Sequence, residues 1–206
     1  MASGTPGEFS AFTPIPSPTP TATVVEEETM QVENGDFEEI LPDSVPGWEN
    51  VSLITWQPGE EFNSDSSYGR PEFTRASDPR REINDSTLMV STYQWVKFSV
   101  TLYQSIEVEP GSRVQFSISA RGYSENGGVQ LRAGLDPEGG GACQADSWGD
   151  TVVTDQFSGM ASLVSPEGVV GEDGVVTVCF FAEPQYAAEY SAAFFDDAEL
   201  TVASPE

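Results

Sequence analysis

Two adjacent carboxylates, Asp196 and Asp197 in "FFDDAELTV", stand beside the last hydrophobic strand of a chain that already carries 34 acidic residues against eight basic ones. A pair of carboxylates is the machinery of glycoside hydrolysis, one acting as acid and the other as nucleophile or base. In so acidic a chain, however, a pair at a workable separation arises by chance, so the pair alone does not indicate hydrolysis. There is no histidine, which removes His-based triads, metal-histidine sites and imidazole acid/base catalysis. Gly-x-Ser-x-Gly and phosphate-loop patterns are absent too. The residues predict a chain that is not an enzyme.

Binding chemistry has better candidates. Sugar C–H faces stack on aromatic rings while hydroxyls seek polar partners, so exposed rings flanked by hydrogen-bonding side chains are the pattern to look for. The stretch "LITWQPGEEFNSDSSYGRPEFTRASDPRRE" holds Trp56, Phe62, Tyr68 and Phe73 together with Arg70, Arg75, Arg80 and Arg81. Its composition is that of a long loop, and guanidinium forks there could meet carboxylates or hydroxyls of a glycan. The structural alternative is that the arginines of 69–82 neutralise nearby acids and the rings plug one end of the fold. In "YQWVKFSV", strand periodicity puts Tyr93, Trp95 and Lys97 on one face and Gln94, Val96 and Phe98 on the other. Trp148, near Cys143, could flank such a site. The ligand-binding candidates are therefore Trp56, Tyr68, Arg70, Tyr93, Trp95 and Trp148, whereas Trp48 in "PGW" reads as core.

The elements that must position these residues are strands. "RVQFSISAR" places Val114, Phe116, Ile118 and Ala120 on one face, and "GGVQLRAGLD" does the same with Val129, Leu131, Ala133 and Leu135. "DTVVTDQF", "MASLVS" and "VVTVCFF" follow between Gly, Pro and Asp turns. About eight or nine short strands with no long amphipathic helix predict an all-β antiparallel sandwich of the jelly-roll kind. Residues 1–29 read as a disordered Pro/Thr-rich and acidic linker or an appended leader, because Pro alternating with Thr and Ser cannot bury apolar area. Residues 30–203 read as the module. A Cys143–Cys179 bridge would close a loop of about 36 residues and stabilise the fold by about 4 kcal/mol, with two buried thiols as the alternative.

The formal net charge of −26 repels nucleic acid and anionic membrane surfaces within a Debye length, and serves solubility or a salty habitat. No apolar run reaches the roughly 20 residues that cross a bilayer. Together with the Pro/Thr stalk this predicts a soluble extracellular or cell-surface domain, part of a larger secreted or surface protein. Asn50 and Asn84 fit the glycosylation sequon.

In order along the chain, "VENGDFEE", "PGW", "YQSIEVEPGSRVQFSISAR", "GLDPEGG" and "FFDDAEL" resemble the galactose-binding-like β-sandwich modules, including carbohydrate-binding modules of the family 4, 9 and 22 type. The resemblance spans 31–202 and implies a galactose-binding-domain-like fold, a non-catalytic role and a polysaccharide or glycan partner. It also implies a structural calcium joining the first strand to the last. Carried over, its ligands are Glu38 and Asp197, with Asp36 or Asp196 possible and backbone carbonyls near Glu38 completing the shell. A competing reading is a structural or adhesive surface domain that engages protein neighbours without binding a specific glycan.

Overall fold

Alternating burial builds two sheets. The computed structural model describes Met1 and residues 27–84 and 86–205, and its elements are β1 (Glu27–Gln31), β2 (Glu49–Ser52), β3 (Glu72–Arg75), β4 (Leu88–Tyr93), β5 (Val100–Glu107), β6 (Arg113–Ser124), β7 (Val129–Asp136), β8 (Val152–Thr154), β9 (Ala161–Val164), β10 (Gly168–Val169), β11 (Val175–Pro184) and β12 (Tyr190–Ala203). One sheet runs β10-β6-β12-β4-β3, with β1 also on β12 and β9 also on β6. The other runs β2-β5-β11-β7-β8. Every ladder between these strands is antiparallel. The fold is the expected antiparallel β-sandwich.

Val114, Phe116, Ile118 and Ala120 of β6 face Val129, Leu131, Ala133 and Leu135 of β7 across one core, as the period of two requires. An aromatic nucleus fills its centre. Trp48 lies 4.9 Å from Phe180 and 5.9 Å from Phe37, and Phe180 lies 4.5 Å from Phe195. Trp48 is thus core, as its position in "PGW" predicts.

The Pro/Thr-rich stretch lies outside the described residues. The sheet begins at Glu27 rather than at residue 30, so Glu27 and Glu28 of the acidic run pair with Ala203 and Val202. The "NGDF" turn that follows is knotted by Asn34. Its side chain donates to the carbonyls of Glu39 (2.8 Å) and Pro46 (2.9 Å) and accepts from the Glu39 amide (3.0 Å). Gly35 meets β12 so closely that a Cβ would stand 2.5 Å from the Ala198 carbonyl, while the Ala198 amide donates to the Gly35 carbonyl at 2.9 Å. A glycine is required here, and this backbone contact ties the turn after β1 to β12.

Candidate functional site

On the five-stranded sheet the residues between core positions point outward. Register aligns Thr101 (β5), Phe181 (β11) and Arg132 (β7) in one row, and Tyr103, Cys179 and Gly134 in the next. Glu183 and Gln130 form a third pair. Cys143 is bonded to Cys179, which pins the Gly-rich loop between β7 and β8 onto this face. Trp148, in the same loop, bridges to Gly134. A Cβ on Gly134 would stand 2.8 Å from the indole, so the missing side chain is what lets Trp148 lie on the sheet. The indole meets Phe181 edge-on at 6.1 Å. The Arg132 guanidinium sits 4.9 Å from the Phe181 ring centre and 5.7 Å from that of Trp148. Arg132 Nε is buried with no protein partner, which costs about 1–3 kcal/mol and is the kind of unsatisfied group that calls for a functional explanation.

The other end of the face is closed by the chain between β2 and β3. Tyr68 pairs with Lys97 in an isolated bridge. Its hydroxyl donates to Glu183 at 2.9 Å, Lys97 Nζ is 3.6 Å from the same carboxylate, and the ammonium lies 4.5 Å from the Tyr68 ring centre. The lone lysine of the chain is therefore buried in a cation–π and ion-pair clamp. Between the two ends, the Tyr103 hydroxyl donates to Glu49 at 2.6 Å, a bond that raises its pKa. The result is a face that interleaves rings with charged, amide and hydroxyl groups, bracketed by two loops.

Three of the six binding candidates contribute here, unequally. Tyr68 and Trp148 stand at opposite ends. Trp56 is half-buried beside Tyr68, with its Nε1 donating to the Glu60 carbonyl at 3.1 Å. Arg70 is exposed and loosely paired, 4.0 Å from Asp43. Tyr93 and Trp95 belong to the seven-stranded sheet's side. The strand periodicity read through "YQWVKFSV" fails, because Gln94 (φ 69°) and Trp95 (φ 63°) adopt left-handed backbone as their amides turn to Glu189 and Ala188. Tyr93 (47%) and Trp95 (49%) are exposed while Lys97 is buried. Tyr103, Phe181, Arg132, Gln130 and Glu183 were not singled out from the sequence. The outward positions complementary to the core residues of "GGVQLRAGLD" and "VVTVCFF" carried that information.

The four expected calcium ligands lie near one another but are engaged by different partners. Glu38 pairs with Arg75 at 3.2 Å. Asp196 is buried and accepts from the amides of Asn84 (3.2 Å) and Asp197 (2.9 Å) and from Thr87 Oγ1 (3.0 Å). Burial raises its pKa to about 6, with the neighbouring Asp197 charge adding to the rise and the donors opposing it. Asp197 (φ 52°) accepts from Asn84 Nδ2 at 2.6 Å. Asp36 and Asp197 line one hollow of about 620 Å³. Among the described residues no three metal-binding side chains converge as a cluster.

No protein-family model and no curated protein matches this chain. Solved structures do. A cyclase from Fischerella sp. TAU in complex with 4-(1H-indol-3-yl)butan-2-one superposes with a TM-score of 0.53 at 12% identity, covering 87% of this chain and 99% of that one. A CBM61 module in complex with β-1,4-galactotriose gives 0.48 at 18% identity over 82% and 91%. The CBM22-1 xylan-binding domain from Paenibacillus barcinonensis gives 0.48 at 12% over 90% and 100%. Carbohydrate-binding modules thus stand among its structural neighbours. What the cyclase likeness establishes is the β-sandwich, a scaffold on which function resides in the site.

Proposed function

We propose that this chain is a non-catalytic, extracellular carbohydrate-binding module that holds a polysaccharide across the outer face of its five-stranded sheet. The observation that carries the reading is the row formed by Trp148, Phe181 and Arg132, extended by Gln130 toward Glu183 and Tyr68. Rings supply faces for sugar C–H groups, and the flanking guanidinium, amide and carboxylate supply directional partners for hydroxyls. The loops that bracket the row are fixed by a disulfide at one end and a buried ion pair at the other, so little ordering entropy is lost on binding. Disulfides persist in oxidising compartments, which supports the extracellular placement.

A calcium ion at the terminal junction belongs to the same proposal, held by Asp36 and Asp197, since Glu38 and Asp196 are engaged elsewhere. When bound, it would neutralise the two carboxylates and brace the first turn against β12. Two carboxylates rather than four place its affinity in the weak class of extracellular modules, about 10⁻⁴–10⁻³ M. Thermal unfolding with added calcium and with chelator reads this directly. A higher Tm with millimolar calcium, lost in Asp197→Ala, is expected, and identical transitions would remove the ion from the account.

A second reading, a surface that engages protein neighbours, is favoured by one observation: Phe157 (86%) and Met160 (58%) are exposed in the turn between β8 and β9. The two readings part in affinity electrophoresis through gels containing soluble polysaccharides. Retardation by at least one neutral glycan, relieved in both Trp148→Ala and Arg132→Gln with Tm near wild type, is the outcome expected of the module. Unretarded migration through every glycan would favour the protein-contacting surface.

A further inference from the structure

The opposite side of the sandwich carries a concentration of positive charge that the glycan face does not use. The segment 76–84 folds back over the outer surface of the seven-stranded sheet and brings Arg80 and Arg81 to Arg121 of β6. Both loop arginines share one carboxylate, Asp78, at 2.8 Å and 3.5 Å. Arg121 has no carboxylate within ion-pair distance among the described residues. It donates instead to the carbonyls of Arg80 (2.6 Å) and Ser158 (3.1 Å), two bonds of a five-donor fork. Three of the eight basic residues of a chain with net charge −26 thus meet here, and among the described residues the ion pairs they form are the two to Asp78.

Aromatic surface runs on from this cluster. The Arg81 guanidinium lies 3.9 Å from the Tyr123 ring centre. Tyr190 follows at 5.6 Å from Tyr123, and Tyr93 at 5.0 Å from Tyr190. These tyrosines sit on β6, β12 and β4, adjacent strands of the sheet, so the row crosses it from the arginines toward the exposed Tyr93. Arg80, Arg81, Arg121, Tyr123 and Gln156 line a hollow of about 370 Å³ at the charged end.

We propose that this hollow is a second binding site, for a single oxyanion group carried on a sugar ring, with the adjoining sugar lying along the Tyr123–Tyr190–Tyr93 row. Guanidinium forks pair in bidentate fashion with carboxylate and sulfate oxygens, and the tyrosine faces stack the ring that bears the group. The charge of the whole chain selects the class further. A densely charged polyanion is repelled by the rest of the surface over about 8 Å at physiological salt, whereas an isolated uronate or sulfate ester on an otherwise neutral glycan meets only the local arginines. The preferred ligand is therefore a sparsely charged polysaccharide. The site is independent of the five-stranded face and does not require that reading to hold.

Calorimetric titration tests it with four ligands: a glucuronic-acid-substituted xylo-oligosaccharide, the unsubstituted oligosaccharide, a singly sulfated galactan oligosaccharide, and polygalacturonate. The substituted ligands are expected to bind at least tenfold more tightly than the neutral one, with polygalacturonate weaker than either. Arg121→Gln is expected to abolish the preference while Arg132→Gln, on the other face, retains it. Should Arg121→Gln fail to fold, Arg80→Gln serves, since that side chain is 86% exposed and its loss leaves the sheet intact. A preference for the uronate alone assigns a carboxylate ligand, for the sulfated sugar alone a sulfate ester, and for both an unspecialised oxyanion pocket. Equal binding of charged and neutral sugars, or a preference unchanged in the folded arginine variant, overturns the proposal.

Discussion

The two outer faces of the sandwich solve the same problem by different means. On the five-stranded sheet a covalent bond pins the loop that carries Trp148, and Lys97 and Glu183 lock the far end. On the seven-stranded sheet the loop 76–87 is held by hydrogen bonds to Asp196, by packing of Ala76 near Ala192 and Phe194, and by the Arg81–Tyr123 contact. The first face is a preformed surface whose cations are clamped over rings or against a carboxylate. The second gathers three guanidinium groups, Arg80 and Arg81 on one carboxylate and Arg121 on two backbone carbonyls. The proposals for the two faces rest on that difference: neutral sugar on the anchored rings of one, and an oxyanion on the clustered arginines of the other.

The difference can be broken most strongly at the disulfide. Replacing Cys143 and Cys179 together by Ser removes a crosslink that spans 36 residues. The expected loss is about 4 kcal/mol, or roughly 10 °C in Tm, with neutral-glycan affinity falling and oxyanion binding on the other sheet retained at temperatures where the variant is folded. Calorimetry and titration of the one variant read both effects. Next in size is Lys97→Ala, which leaves Glu183 half-buried without its cation. A loss of about 3 kcal/mol is expected by chemical denaturation, and Lys97→Met combined with Glu183→Gln should recover part of it. Gly134→Ala follows. A Cβ there forces the Trp148 indole off the sheet, costing about 1–3 kcal/mol and lowering glycan affinity while leaving the arginine site unchanged.

The smallest effect sharpens the comparison by pH. The hydrogen bond from Arg80 draws the Asp78 carboxyl below its ordinary value, to about 2. A depressed carboxyl contributes stability above its unfolded pKa and loses it as pH falls through the folded one. Asp78 therefore supports its loop above about pH 4 and ceases to do so on approach to pH 2, by a small amount because the group is exposed. Asp78→Asn should lower Tm by no more than about a degree at pH 7 and converge with wild type at pH 2. Oxyanion binding should stay level from pH 7 to 9, where Asp78 and the loop-supporting Asp196 are both ionised and the arginines protonated.

What the sequence made legible follows from the physics of strands. Alternation in "RVQFSISAR" and "GGVQLRAGLD" read true because a half-buried strand imposes a period of two, and Trp48 read as core because "PGW" ends at the packed nucleus. The Cys143–Cys179 bridge is present as the bonded alternative. Where the reading failed, a tertiary partner overrode the local pattern. Gln94 and Trp95 leave the strand because their amides turn to the carbonyls of Glu189 and Ala188, nearly a hundred residues away in sequence. The arginine loop 69–82 was read as either functional or neutralising, and the ion pairs of Arg70, Arg75, Arg80 and Arg81 with acids fit the second description. Arg80 and Arg81 also line a hollow with Arg121 that depends on β6 lying beneath the loop. No local pattern carries that juxtaposition. Glu38, Asp36, Asp196 and Asp197 likewise share a neighbourhood in the fold, yet Arg75, Asn84 and Thr87, distant in sequence, determine which carboxylate each local environment engages.

The most direct test of the central claim is titration of the protein with soluble neutral polysaccharides while its tryptophan fluorescence is recorded, in wild type, Trp148→Ala and Arg121→Gln. A neutral-glycan module that uses the five-stranded face should show a saturable change with at least one polysaccharide, lost in Trp148→Ala and preserved in Arg121→Gln. With binding heat recorded alongside fluorescence, so that loss of the Trp148 reporter is not mistaken for loss of binding, a saturable heat that survives intact in folded Trp148→Ala, or no response of wild type to any polysaccharide, would contradict it.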